Sequence, residues 1–313
     1  MNADQKRFLR LITTVQNAYR QAVYSALRKQ VNFFADNYAK GVIDFNLPKK
    51  PIVKVLRQLY EDAGVNNALF VQRQLKRDIK KSVSDDINRF EWSMNEYFRT
   101  HLLEKSTRQI TETTKRQLLA VLQKSTDEGW GVSKTVTALK DTDLTRSRAE
   151  LIVRTETMKA ANVGAMIAAA DMGIIVQKKW ISAQDERTRR IPRDQYDHLY
   201  MNGIVKDFDQ AFIVPSTKTL DSMQYPGDPN GSAGNVCNCR CTVSFIPLKD
   251  ANNRPIPISR EDTGTPIEIG ETIVRPVVVE NPFLQIVNSA KDILINNSIV
   301  NGLRKLIENF FDE

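Results

Sequence analysis

The chain has 313 residues, of which 41% are hydrophobic and 26% are charged, and its formal net charge is +8. This length is enough for two or three domains with a real core. No apolar run approaches the roughly 20 residues that span a bilayer, and the first residues lack the apolar core of a signal peptide. We therefore expect no contact with a membrane, and synthesis in the cytoplasm, where thiols stay reduced.

The positive charge is confined to the first part of the chain. Residues 1–120 carry 22 Lys and Arg against 12 Asp and Glu, whereas residues 121–313 carry 23 against 25. Such a surplus favours a polyanion or an acidic protein surface as a partner. The alternative is a set of solvated helix faces, because no dense block of Lys or Arg stands out.

The first half of the chain has the apolar spacing of helices. Apolar residues recur every three or four positions from Phe8 to Leu27, which predicts a first helix that ends near Gly41. A second helix is expected to begin at Pro51 and to end at Gly64. Residues 66–127 contain neither Gly nor Pro. They predict one or two long polar helices, which are typical of an extended bundle or an assembly contact.

The second half changes in character. A short helix is expected to end near Leu139, and an Ala-rich helix is expected over residues 146–172. Apolar and β-branched runs predict strands at 174–181, 212–215 and 241–246, separated by turn-rich loops. Five prolines between 247 and 276 predict an extended arm, and renewed helical spacing over 281–311 predicts a terminal helix.

The predicted fold class is therefore α+β, in three regions. Residues 1–130 form long N-terminal helices in an extended helical bundle that carries the basic charge. Residues 131–247 form a small mixed α/β domain. Residues 248–313 form an extended C-terminal arm that ends in a helix.

Two groups of polar residues stand out beside the predicted strands. Arg154, Thr155 and Glu156 lie on the Ala-rich helix, and Asn162 lies on roughly the same face as Arg154, about two turns further on. A structural role in holding loops is favoured for them, with a catalytic Glu156 as the alternative. After the strand that contains Trp180, a loop carries alternating acidic and basic residues, which predicts local ion pairs or an anion site. The residues of that loop are Asp185, Arg187, Arg189, Arg190 and Arg193.

All three cysteines fall within five residues, at Cys237, Cys239 and Cys241. Together with His198 they form a Cys₃His set, which is a common set of zinc ligands. Alternate residues of an extended strand are about 6.6–6.8 Å apart, so the sulfurs converge only if the chain turns between Asn235 and Asn238. The alternatives are small buried thiols at a sheet edge and a Cys–His nucleophile, for which no third, orienting group is identifiable. No cofactor is expected, and zinc is the one candidate.

Taken in order, these motifs resemble the phage Mu protein F-like, or minor head morphogenesis, proteins of tailed bacteriophages. The resemblance covers about residues 145–246. The matching residues are Arg154, Thr155, Glu156, Asn162, Gly164, Lys179, Trp180, Asp185, Arg187, Thr188, Arg189, His198, Gly203, Pro226 to Pro229, Asn238, Cys239, Arg240 and Cys241. Two features depart from the family pattern. His198 follows Arg189 by nine residues rather than about three, which indicates an insertion near 191–193, and Cys237 lies outside the Asn-Cys-Arg-Cys core.

The resemblance implies a low-copy virion component inside the capsid near the portal, made in the host cytoplasm and present in several copies around the portal. Its implied partners are the portal protein, the scaffold or major capsid protein, and the double-stranded DNA inside the head. Its implied role is in procapsid assembly, DNA packaging or DNA ejection, without catalysis.

Two other functions stay open from the sequence. One is a virion-carried effector enzyme, either a nuclease or an ADP-ribosyltransferase-like protein, since the family domain has been compared with ADP-ribosyltransferase folds. Arg154, Glu156 and His198 would then be its first candidate residues. The other is a DNA-binding module without portal contact.

Overall fold

The first half of the chain is helical and the second half carries the strands. The structure is a computed structural model that describes residues 3–79, 87–140, 142–218, 220–258, 267–269 and 272–274. Its helices are α1 (Ala3–Ala39), α2 (Lys50–Ile79), α3 (Ile87–Tyr97), α4 (Leu103–Asp127), α5 (Val132–Leu139), α6 (Thr142–Asp171) and the single turn α7 (Ala233–Val236). A π-helical turn, Phe98–Leu102, joins α3 to α4. The predicted α+β class with long N-terminal helices is confirmed.

The strands form small antiparallel sheets. They are β1 (Val176–Ile181), β2 (Val205–Asp207), β3 (Phe212–Val214), β4 (Asp221–Met223), β5 (Thr242–Pro247), β6 (Ile267–Ile269) and β7 (Thr272–Val274). In the main sheet β1 lies between β2 and β5, and Trp180 is in register with Val243. The three strands predicted from the sequence are confirmed as β1, β3 and β5. Strands β2, β4, β6 and β7 were not predicted; each is only three residues long, and β2 and β4 also lack an apolar run.

The two glycines that were expected to end helices behave differently. Helix α1 ends at Ala39, and Gly41 has a φ of +78°, so the prediction of a stop at Gly41 is confirmed. The predicted end of the second helix at Gly64 is wrong, because α2 continues to Ile79. Gly64 lies there in a tight packing contact. A Cβ on Gly64 would lie 2.2 Å from the end of the Met94 side chain, and a Cβ on Gly164 would lie 2.0 Å from the Gly64 carbonyl oxygen.

Helix α6 lies at the centre of the fold. Its residues from Thr155 to Asp171 are all buried, because its many alanines let neighbouring elements approach on every side. The main hydrophobic core contains Leu27 of α1, Leu59 of α2, Ala168 of α6 and Val243 of β5. The regions predicted as 1–130 and 131–247 therefore share one core. A second cluster fills the strand region, around Trp180, Phe212, Met223, Cys239 and Cys241.

The chain after β5 returns to the main sheet. The amide of Ile175 donates to the carbonyl of Ile256 at 2.8 Å, and the amide of Ile258 donates to the carbonyl of Gly173 at 3.0 Å. Strands β6 and β7 pair with each other further along the predicted arm. The predicted terminal helix over 281–311 lies outside the described residues. Within the described part of the chain, no helix combines the length and the apolar character that crossing a membrane requires.

We expect Gly164→Ala to destabilise the protein by about 1–3 kcal/mol or more, because the new methyl group would meet the α2 backbone, which cannot move aside as a flexible side chain could. The measurement is urea unfolding followed by circular dichroism. The matched control is Gly131→Ala, where a Cβ meets nothing within 4 Å and φ is −72°. Equal stability of the two variants would contradict the close contact between α2 and α6.

Candidate functional site

Asn162 is the point at which helix α6 holds the strand region. Its side chain is fully buried, and its amide nitrogen donates to the carbonyls of Pro226 at 2.7 Å and Cys241 at 3.1 Å. Its amide oxygen accepts from the Thr242 hydroxyl at 2.9 Å and from the Val243 amide at 3.2 Å. Every hydrogen-bonding position of this side chain is used, so Asn162 fixes the start of β5 and the 226–229 turn on α6.

Glu156 lies about 1.7 turns before Asn162 on α6, and it is buried with a cation. Its carboxylate accepts from Lys159 Nζ at 2.8 Å and from the Tyr60 hydroxyl at 2.6 Å, with Ser106 Oγ at 3.4 Å. The side chains of Glu156 and Lys159 are only 6% and 4% exposed. Burial, followed by the charge of Glu156 and its hydrogen bond, raises the pKa of Tyr60 well above its usual range. Tyr60 therefore stays a donor, and it links α2 to α6.

Arg154 and Thr155 hold the loop that carries the cysteines. Arg154 Nη1 donates to Asn238 Oδ1 at 2.8 Å, and the Asn238 amide donates to Thr155 Oγ1 at 2.9 Å. Asn238 has a φ of +60°, a left-handed conformation that asparagine tolerates better than most residues. The chain reverses here. The turn that the cysteine sulfurs need in order to converge is therefore present.

The loop after β1 is held by a second set of ionic contacts. Asp185 accepts a bidentate interaction from Arg240, and its Oδ1 also accepts from the Thr188 hydroxyl at 3.2 Å and the Arg187 amide at 3.0 Å. The Arg240 hydrogen bond, with further help from the Arg240 charge, Thr188 and Arg187, lowers the pKa of Asp185 to about 2. Arg189 donates to the Cys237 carbonyl at 2.5 Å. The loop is thereby fastened to the cysteine segment.

His198 lies between an amide and two thiols. One ring nitrogen, Nε2, hydrogen-bonds Asn235 Oδ1, and the other, Nδ1, lies 3.5 Å from the sulfurs of both Cys239 and Cys241. The ring is 1% exposed and meets Trp180 edge-on at 5.5 Å between centroids. Burial opposes protonation of His198, but the hydrogen bond and charge of Cys239 and the Asn235 contact outweigh it and raise its pKa.

The two buried thiols influence each other. A hydrogen bond from Cys241, opposed by burial and reinforced by His198, lowers the pKa of Cys239 well below its usual range. The same hydrogen bond, together with burial, raises the pKa of Cys241. The Cys241 amide also donates to the Cys239 sulfur at 3.4 Å. The geometry thus favours one thiolate beside the imidazole.

Cys237 is separated from this group. It is exposed, and the Cys2His cluster in the described part of the chain consists of His198, Cys239 and Cys241 alone. Cys237 lines a pocket of about 380 Å³ between α4, α6 and the 229–237 loop, together with Glu156, Lys159 and Arg148. Burial, followed by the neighbouring Arg116 charge, lowers the pKa of Arg148 to about 10. Arg148 donates to Thr114 Oγ1 at 2.7 Å and to Gln117 Oε1 at 3.0 Å.

Most of the predicted site residues are thus placed within one connected network. The network joins α6 to the loop after β1 and to the segment before β5, which lie at the same end of the main sheet. Gly203, with φ +88°, donates its amide to the Trp180 carbonyl at 2.8 Å and closes the turn after His198. Arg187 contributes only its backbone amide, since its side chain is exposed.

Lys178, Asn235 and Tyr60 belong to the network but were not predicted from the sequence. Lys178 is fully buried in β1, donates from Nζ to Gln224 Oε1 at 2.5 Å, and lies 5.5 Å from the centre of the Phe212 ring. The two-residue period of a strand puts Lys178 on the same face as Trp180, and this was the available signal. Asn235 and Tyr60 gave no comparable signal, because their partners lie far away in the sequence.

Comparison with protein families gives a match for the central part of the chain. Residues 116–244 match the family model described as phage Mu protein F like protein. The match begins within α4 and ends within β5, and it contains every one of the predicted site residues. Comparison of the chain with curated proteins and with solved structures gives no significant match.

The buried Lys178 predicts a pH-dependent stability. Burial, opposed by Asp209 and Asp228, lowers its pKa from 10.5 to about 7. Between these two values the unfolded chain binds more protons than the folded one, so stability rises with pH over that window, by up to several kcal/mol. We expect Lys178→Met to abolish most of this rise in urea unfolding measured from pH 7 to pH 10. Lys179→Met, at the half-buried neighbour, serves as the control; an unchanged rise in Lys178→Met would contradict the assignment.

Proposed function

We propose, on the premise that residues 116–244 form a phage Mu protein F-like domain, that this chain is a minor head protein that associates with the portal of a tailed bacteriophage. The family match ties the chain to phage head morphogenesis. We place the protein inside the capsid, in several copies around the portal, where it affects procapsid assembly, DNA packaging or DNA ejection. The family match is the observation that carries the proposal.

The contacts of the residues that match the family pattern support a structural role for the domain. The Glu156 carboxylate is occupied by Tyr60 and Lys159, and Asp185 is occupied by Arg240. The four hydrogen-bonding positions of Asn162 are also filled from within the chain. Side chains that are engaged in this way hold loops in fixed positions. A rigid domain of this kind suits a component of an assembly.

Helix α1 supports contact with an acidic partner. It carries six Lys and Arg against two Asp and Glu. Five of the six basic side chains are exposed, namely Lys6, Arg7, Arg10, Arg20 and Lys29. The apolar face of the helix, with Leu27 and Phe34, is buried in the fold. The basic side therefore faces outward, where it can meet an acidic surface of the portal or the DNA inside the head.

The first test is sedimentation of the full chain with purified portal rings. We expect the wild-type protein to sediment with the rings, and the double variant Arg10→Glu, Lys29→Glu to bind about tenfold more weakly, because each reversal replaces an attraction with a repulsion. The matched control is Arg190→Glu, Lys218→Glu, which makes the same charge change at exposed residues of the 131–247 region.

Two outcomes would count against portal association. One is the absence of the wild-type protein from the ring fraction. The other is equal weakening in both double variants, which would show only an effect of net charge. Steeply salt-dependent binding to double-stranded DNA, without binding to rings, would instead support the DNA-binding module.

An enzyme is the second candidate, and the pocket beside Glu156 is the observation that favours it. We expect no turnover of labelled NAD or DNA by the wild-type protein, because both carboxylate oxygens of Glu156 are engaged. We expect Glu156→Gln to lower stability by about 3–5 kcal/mol, since it leaves the Lys159 charge buried without its partner. Turnover by the wild-type protein that is lost in a folded Glu156→Gln variant would establish the enzyme instead.

A further inference from the structure

We propose that His198, Cys239 and Cys241 bind one zinc ion, with a water molecule as the fourth ligand. The three residues lie in one buried group whose donor atoms are within 4.8 Å of one another. Two thiols and one imidazole form a soft ligand set, and such a set binds zinc in preference to magnesium or calcium. This inference is independent of portal binding.

The separations between the sulfurs and the imidazole nitrogen fit a tetrahedral ion. Zinc lies about 2.3 Å from a thiolate sulfur and about 2.0–2.1 Å from an imidazole nitrogen. With tetrahedral angles, these bond lengths place sulfur and nitrogen about 3.6 Å apart. His198 Nδ1 lies 3.5 Å from the sulfur of Cys239 and 3.5 Å from that of Cys241. Both sulfur–nitrogen separations therefore match those of a tetrahedral zinc site, and all three donor atoms lie within 4.8 Å of one another.

A relay of hydrogen bonds sets the imidazole in the form that a metal requires. Asn235 Nδ2 donates to Asp221 Oδ2 at 3.0 Å, which directs the amide oxygen of Asn235 towards His198 Nε2. The proton of neutral His198 then belongs on Nε2, and the lone pair of Nδ1 faces the two sulfurs. Metal-binding histidines commonly donate their second ring nitrogen to a neighbouring acceptor in this way.

The charge balance also favours zinc in this buried position. His198, Cys239 and Cys241 are each at most 3% exposed, so an uncompensated charge among them would be costly. Two thiolates neutralise a zinc dication, and the neutral imidazole leaves the group uncharged. The Cys241 amide, which donates to the Cys239 sulfur at 3.4 Å, gives that thiolate a further hydrogen bond.

The turn at Asn238 selects which two of the three cysteines take part. Because Asn238 has a left-handed backbone, Cys239 and Cys241 face His198. Cys237 faces the pocket beside Glu156 and Lys159 instead. Three protein ligands leave one position of the tetrahedron open, and we assign it to water. The ion would join the loop after β1 to the segment before β5.

The test is metal analysis of the full chain, purified under reducing conditions with added zinc and then desalted. We expect one zinc per chain by mass spectrometry. X-ray absorption should show two sulfur ligands at about 2.3 Å and two lighter ligands at about 2.0–2.1 Å. Replacement by cobalt should give the intense visible absorption of a tetrahedral thiolate site. Less than about a tenth of a zinc per chain would overturn the proposal in favour of a thiol–imidazole hydrogen bond.

Variants test the ligand assignment. Cys239→Ser and Cys241→Ser should each lose the bound zinc, whereas Cys237→Ser, the matched control, should retain it and the cobalt spectrum. Asn235→Ala should weaken zinc binding about 10–100-fold in competition with a chelator, because the hydrogen bond that orients the His198 ring is lost. Loss of zinc in Cys237→Ser, or three sulfur ligands in the wild-type protein, would overturn the assignment of these ligands. Since the wild-type protein is measured directly, a variant that fails to fold leaves the test intact.

Discussion

The backbones of α2 and α6 meet at Gly64 and Gly164, and this contact sets the spacing of the surrounding groups. Only glycine leaves room there, since a Cβ on Gly164 would lie 2.0 Å from the carbonyl oxygen of Gly64. The close approach brings the Tyr60 hydroxyl to Glu156 and Asn67 Nδ2 to the Ala161 carbonyl, at 2.6 Å each. Asn162, two residues before Gly164, then holds the start of β5. The position of the sheet thus depends on how closely two helices pack.

The interior around this contact is unusually polar, and its groups depend on one another. Burying the Glu156–Lys159 pair, Arg148 and Lys178 costs desolvation energy that a hydrophobic interior would not cost. Each of these buried groups is stabilised by specific partners: Glu156 by a counter-ion, Arg148 by neutral hydrogen-bond acceptors, and Lys178 by Gln224. Because loss of one partner leaves the other buried and uncompensated, the network favours a single arrangement of the loops.

Local signals in the sequence were enough to predict the long helices, the strands β1, β3 and β5, and the family that residues 116–244 match. These features follow from periodicity, turn residues and motif order. The continuation of α2 through Gly64 could not be predicted, because the groups that pack against this glycine, Met94 of α3 and Gly164 of α6, are distant in the sequence. Local propensity identified a helix stop, and tertiary packing overrode it.

In the candidate site, too, local signals could not reveal contacts between residues that are distant in the sequence. From the sequence, convergence of the sulfurs depended on a turn between Asn235 and Asn238 that was not itself predicted, and the left-handed Asn238 makes that turn. The sequence could not show that this turn separates Cys237 from the other two cysteines. Nor could it show that Asn235 reaches the far nitrogen of His198, because that contact spans 37 positions along the chain.

The contribution of α2 to this network bears on how such a domain is inherited. The family match begins at residue 116, yet Tyr60, Gly64 and Asn67 all come from α2 and complete the interior of α6. Recombination that exchanged residues 116–244 alone between two related genes would separate α6 from the helix that fits it. The unit that evolution can transfer intact is therefore larger than the unit that sequence similarity delimits.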